Sequence, residues 1–156
     1  MSSAFGQLAD PGTDMRIDVD RKQQASYNIS LPLSGNQELR TASGILLSDS
    51  DRGLVMSPNQ PFELGVAGNC QKILVNVQRS VVDQTLSDLL GRPVDEQLVF
   101  AESMDTLNGS VAAWWRLIKH HLAEIERSPE LYVNAYFRQA IETTLVRGLL
   151  ISQASN

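Results

Sequence analysis

The feature that most constrains this chain is a change of rhythm. Up to about Val77 its apolar residues recur at every second position. From about Arg79 they recur every three to four, so a strand-rich part gives way to a helical part within 156 residues. Met15, Ile17 and Val19 alternate with Arg16, Asp18 and Asp20. The alternation returns in "ASYNISLPL", where Tyr27, Ile29, Leu31 and Leu33 share one face and Ser26, Asn28 and Ser30 the other. Pro32 has no N–H to give a ladder, which predicts an edge or strand-end position. Ser34-Gly35-Asn36 predicts a tight turn into a partner strand through Gln37, Leu39 and Thr41. "GILLSD", "GLVMS", "PFELGV" and "KILVNVQ" follow as short strands bounded by turn residues, the spacing of an antiparallel sandwich or barrel. The two prolines of "SPNQP" predict a corner, and no helix of useful length fits before Gln78.

Beyond Gln78, Val81, Val82, Leu86, Leu89 and Leu90 predict a first helix that Gly91 to Pro93 stop. A second, roughly 109–127, gathers Val111, Trp114, Trp115, Ile118, Leu122 and Ile125 on one face. Ser128-Pro129 divides it from a third at about 131–152, so the two long helices predict a hairpin. The closing stretch "LVRGLLISQASN" is apolar on nearly every helical face, which calls for something to cover it.

The net charge of −5 falls unevenly: residues 1–110 hold 8 Lys/Arg against 14 Asp/Glu, and 111–156 hold 5 against 4. No basic stripe is available to track a phosphate backbone, so direct DNA contact is not expected. Cys70 is the lone cysteine, which excludes an internal disulfide and a multi-cysteine zinc site and predicts a reducing, cytoplasmic setting. Neither a signal peptide nor a run of about 18 apolar residues is present, so a soluble, non-membrane protein is expected.

Catalytic chemistry finds little support. A cupin-type metal enzyme holds its metal with strand histidines, and the strand half has none. His120 and His121 are adjacent on a helix, pointing about 100° apart, where a solvated or packing role is the simpler reading. No G-x-S-x-G elbow occurs, Cys70 falls in a turn without a predicted base, and Asp49 and Asp51 lie in a polar turn. Trp114 and Trp115 suit core packing better than a pocket. The interior of a small barrel must hold either its own side chains or a small ligand, and alternation alone leaves both open.

The runs "LSDLLGRPVDEQLVFAESMD", "SVAAWWRLIKHHLAEIERSPELY" and "RQAIETTLVRGLLISQASN" resemble the end of the effector-binding domain of AraC/XylS-type transcriptional regulators. "YNISLPLSGNQEL", "LVMSPNQPFEL" and "CQKILVNVQRSVVDQTL" resemble its barrel segments, so the likeness covers roughly Met15 to Asn156. It implies a cupin-like barrel that binds a small effector, helices that mediate dimerisation, and a separate domain with helix-turn-helix units that binds DNA. These 156 residues hold no such units, and an excised sensor fragment is the expected reading, with a natural truncated relative as the alternative.

The expected fold is therefore α+β, mainly β then α: a cupin-like antiparallel barrel or jelly roll followed by a helical hairpin. Its expected parts are an arm at 1–14, the barrel at 15–78 and a helical dimerisation subdomain at 79–156. Laid on the strands by inward alternation, the resemblance implies ligand contacts at Tyr27, Ile29, Gln37, Leu39, Phe62, Leu64, Ile73 and Val75, with Trp114 as a lid. Arg40 should face solvent. It places the homodimer interface on Phe137, Ile141, Leu145 and Leu149, and implies an effector, often aromatic, with no cofactor and no catalysis. The alternatives are a cupin-type enzyme acting on a small metabolite, or a dimerisation module whose barrel is filled by its own side chains.

Overall fold

The structure is a computed structural model that describes residues 7–9, 15–18, 26–153 and 155–156. Val19 and Asp20 of the first alternating segment, and most of the expected arm, lie outside the described residues. The elements are strands β1 (Gln7–Ala9), β2 (Met15–Asp18), β3 (Ser26–Ser34), β4 (Gln37–Thr41), β5 (Gly44–Ser48), β6 (Arg52–Met56), β7 (Glu63–Val66) and β8 (Gln71–Gln78), helix α1 (Arg79–Leu90), strand β9 (Ser103–Asp105), and helices α2 (Gly109–Arg127), α3 (Glu130–Val133) and α4 (Ala135–Ser152).

The strands pair antiparallel into two sheets, in the orders β1-β8-β3-β6-β9 and β2-β7-β4-β5. Together they form an open, cupin-like jelly roll rather than a continuously bonded barrel, with the helices following. The fold class is thus α+β, as expected. The five-stranded sheet reaches past both ends of the alternating segment. It takes β1 from before Met15, and it takes β9, which pairs Ser103 with Leu54 and Asp105 with Arg52, from beyond Gln78. Three residues of β9 are too few for a period to register in the sequence.

Local signals act as the sequence suggests. The β3–β6 ladder ends at Ser30, so Pro32 withholds no hydrogen bond from β6, and the β8 register shifts between Pro32 and Ser34. Gly35 turns the chain at φ +73 and lies so close to Cys70 that a Cβ there would stand 2.8 Å from its Cα. Gly91 ends α1 in the left-handed conformation, its N–H on the Ser87 carbonyl at 2.8 Å. The third helix differs from expectation. It is broken into α3 and α4 at Asn134, whose Oδ1 accepts from the Phe137 N–H at 3.1 Å and caps α4.

Two apolar cores result. The larger lies between the outer face of the five-stranded sheet and the helices, where Tyr27, Ile29, Leu31, Ile73, Val75 and Val77 meet Trp114, Trp115, Ile118, Leu145, Val146 and Leu149. The smaller lies between the sheets and is built from Leu39, Leu54, Met56, Leu64, Val66 and Cys70, with Leu46 and Phe62 against it. Neighbouring residues on β6 serve different cores, Leu54 the inner and Val55 the outer, as strand alternation requires.

This arrangement answers the question raised by the apolar C-terminal stretch and corrects the predicted dimer face. Leu145 and Leu149 are 6% and 0% exposed in the protomer's own core, Ile141 packs against them, and half-buried Phe137 meets the Tyr132 ring edge-on at 5.2 Å. Helices α1 and α2 already lie against α4 there. Among the described residues no helix is long and apolar enough to cross a membrane.

Candidate functional site

The space between the sheets has a polar and an apolar portion. In the polar portion four buried side chains form one chain of hydrogen bonds. Ser48 Oγ donates to the Arg52 carbonyl (2.6 Å) and accepts from Gln37 Nε2 (3.1 Å), while Gln37 Oε1 accepts from both Ser30 Oγ (3.2 Å) and Lys72 Nζ (3.1 Å). Lys72 is 2% exposed, and among the described residues no carboxylate forms an ion pair with it. Burial pulls its ammonium below the ordinary lysine value, opposed by the Cys70 thiol, which burial itself pushes up.

The apolar portion opens into a cavity of about 270 Å³ at one end of the jelly roll. Leu39, Met56 and Phe62 supply its floor, the β4–β5 turn at 41–43 one rim, and the corner at 57–62 another. Val99, Phe100 and Glu102 close the remaining side. The volume sits just below the range of about 300–1,000 Å³ usual for small-molecule pockets, and the mixture of apolar surface with a few polar groups suits such a ligand.

The wall at 97–102 is held from both sides. Toward the corner, the Phe100 N–H donates to Ser57 Oγ (3.1 Å), Gln97 Nε2 donates to the Pro58 carbonyl, and Asn59 Nδ2 donates to Gln97 Oε1 (2.9 Å). Asn59 itself takes φ 62, a left-handed conformation that asparagine tolerates. Toward the end of α4, Gln153 Nε2 donates to the carbonyls of Ala101 (2.7 Å) and Ser103 (3.0 Å). The Val99 N–H donates to Asn156 Oδ1 (2.9 Å), and Phe100 forms a β-bridge with Ser155. One segment therefore lines the cavity and fastens the last residues of the chain.

The predicted contacts separate into four groups. Leu39 and Phe62 stand on the cavity wall. Gln37 and Leu64 lie between the sheets, Gln37 in the polar chain and Leu64 in the inner core. Tyr27, Ile29, Ile73 and Val75 do not face inward at all: they face the helices. The inward residues of β3 and β8 have the other parity, as Ser30 and Lys72 demonstrate by reaching Gln37. Alternation alone does not say which face of a strand is the interior one. The helices cover the outer face of this sheet, so it carries the larger apolar side chains. Trp114 is not a lid. It is 3% exposed, donates from Nε1 to the Leu145 carbonyl (2.7 Å), and meets Trp115 edge-on at 4.9 Å.

Met56, Phe100 and Glu102 are wall residues that strand alternation did not point to. Their signals were slight: Met56 shares the inward parity of Leu54, and "LVFA" at 98–101 is an apolar run too short to carry a period. Tyr27 has a structural role, its hydroxyl donating to the Leu98 carbonyl at 2.5 Å, with burial pushing its phenol up to about 12. Arg40 is exposed, as expected, and pairs with Glu38 at 2.7 Å. Among the described residues no group of three or more His, Cys, Asp or Glu is placed to hold a metal ion.

Comparison with known proteins places this geometry. The crystal structure of CuxR, an AraC-like transcriptional activator, superposes with a TM-score of 0.63 at 10% identity, covering 89% of this chain and 48% of that one. An apo variant of ToxT from Vibrio cholerae gives 0.57 at 10% identity, covering 95% of this chain and 55% of that one. The chain thus spans about half the length of these structures, and the likeness at such identity is one of fold. No curated protein shows significant sequence similarity to it. Residues 6–151, nearly the whole chain, match the family described as the AraC-binding-like domain, and the chain belongs to that family.

Proposed function

We propose that this chain is the effector-sensing domain of an AraC-type transcription regulator and that it has no catalytic role. The observation that supports this best is the double duty of residues 97–103. A molecule entering the 270 Å³ cavity would press on Val99, Phe100 and Glu102, and the same segment holds Gln153 and Asn156 by hydrogen bonds. A ligand that prefers one placement of this segment would bias the end of α4 by at most the difference between its affinities for the two placements. Any DNA contact would come through a separate helix-turn-helix domain, since these 156 residues are acidic and carry no basic stripe.

Dimerisation belongs to the same proposal, on a different face from the one first expected. The outward side of α4 carries Tyr136 and Ile151, 86% and 76% exposed, with the small residues Ala140 and Thr144 between them. A second copy of the chain is the natural cover for such a face.

Thermal denaturation against a panel of small metabolites tests the sensing claim. The expected result is a saturable rise in melting temperature with at least one compound. Ala42→Trp, which adds bulk at the rim, should abolish the rise without lowering the melting temperature of the free chain. Silence across the panel, or a rise indifferent to Ala42→Trp, would favour a packed interaction module. Stoichiometric bound metal after gentle purification would favour the cupin-type enzyme.

A further inference from the structure

The cavity wall carries charge of one sign. Among the described residues lining it, Glu102 is the one ionisable group; no Lys, Arg or His joins it. Its carboxylate is half-buried and has neither an ion-pair nor a hydrogen-bond partner among the described residues. Its backbone, by contrast, is fixed. The Glu102 carbonyl accepts from the Val55 N–H (2.9 Å), and the carbonyls on either side, Ala101 and Ser103, accept from Gln153. The segment that carries this carboxylate is therefore held in place at the cavity wall.

Two aromatic rings, Phe62 and Phe100, line the same space. Ring faces attract cations, and a carboxylate attracts them further, while an anionic ligand would meet like charge with no cation to offset it. The net charge of −5 works in the same direction by drawing cations toward the chain. Buried Lys72 does not reverse this sign, because it bonds to Gln37 and does not line the cavity.

We propose that the molecule sensed in this cavity is a small organic cation: an amine whose ammonium group sits at Glu102 and whose apolar body lies against Met56, Phe62 and Phe100. This rests on the sensing role proposed above and specifies the chemistry that the site selects.

Three probes of similar size and different charge test it: benzylamine, benzyl alcohol and benzoate, each titrated into the intact chain while the amide resonances of Phe100 and Glu102 are followed by NMR. Benzylamine should bind about tenfold more tightly than benzyl alcohol, the combined effect of one partly exposed ion pair and a ring contact. Benzoate should bind most weakly. Glu102→Gln, which keeps the backbone bonds, should bring benzylamine down to the level of benzyl alcohol and leave the alcohol unchanged. If all three bind at these residues with benzoate as tight as benzylamine, or if the amine preference survives in Glu102→Gln, the cationic assignment is wrong while the cavity remains a binding site. If none perturbs Phe100 or Glu102, both this assignment and the cavity's sensing role fail.

Discussion

The side-chain amide of Gln153 holds the carbonyls of Ala101 and Ser103 together, at 2.7 and 3.0 Å. Gln153 is 6% exposed at the C-terminal end of α4, and Ala101 and Ser103 flank Glu102 on the cavity wall. Gln153→Ala would leave both carbonyls without this donor, and two bonds of this kind are worth about 2 kcal/mol. Denaturant unfolding should report a loss near that size. Hydrogen exchange should quicken at β9 and the last turn of α4, while α1 keeps its protection.

Gly148 lets α4 lie close against Trp114 of α2. A Cβ at this position would stand 3.0 Å from Trp114 Cδ1, and the Trp114 ring is fixed by its bond to the Leu145 carbonyl. Gly148→Ala should therefore destabilise by about 1–3 kcal/mol despite alanine's better helix propensity, as overpacking does. A melting temperature equal to or above that of the parent chain would show that the ring moves aside freely.

The two tryptophans should respond differently to loss of the indole N–H. Trp114 Nε1 is bonded, whereas Trp115 Nε1 is buried without a hydrogen-bond partner among the described residues. Both Trp→Phe changes remove volume, but only Trp114→Phe breaks a bond. It should cost about 1 kcal/mol more in denaturant unfolding than Trp115→Phe.

Lys72 and Tyr27 set opposite pH trends. Lysine's ammonium is disfavoured in the folded chain, so the folded state releases its proton first. Stability should rise with pH from the depressed folded value up to about 10.5, the ordinary value. Tyr27 keeps its proton in the folded state up to about 12 against an ordinary 10.0, so its contribution is complete below 10 and is lost as pH rises toward 12. Urea titrations should find that Lys72→Met is as stable as the parent chain or more so at neutral pH, since Ser30 still serves Gln37, and that this advantage shrinks on alkalinisation. Tyr27→Phe should close the gap to the parent chain only above pH 10.

Self-association separates the two faces of α4. Tyr136→Asp with Ile151→Asp should convert a dimer to a folded monomer in sedimentation experiments, because both side chains are exposed. Leu145→Asp should instead unfold the protomer, since its side chain lies in the core. A monomeric parent chain at tens of micromolar would remove the dimer claim.

Much of this architecture was legible in the sequence because it rests on local rules. Alternation marked β3, Gly91 marked the end of α1, and the Trp114–Ile118 face marked α2. Resemblance of whole segments supplied the family. What the sequence hid was which side of each strand the interior lies on. Tyr27 and Ile29 obey the same alternation whether helices or the opposite sheet cover them, so the choice waits on tertiary packing. The cavity wall was hidden for a related reason: Phe100 and Glu102 belong to an irregular segment whose place is fixed by bonds to Ser57 and Gln153, each about 40 to 50 residues distant in the chain.

A crystal structure of this chain with the tightest-binding compound from the metabolite panel would decide whether the cavity between the sheets is the effector site. The compound is expected to lie enclosed between Leu39, Met56, Phe62 and Phe100, touching the segment that Gln153 holds. A compound bound instead between the five-stranded sheet and the helices, or on the outer surface, would show that the cavity is not that site.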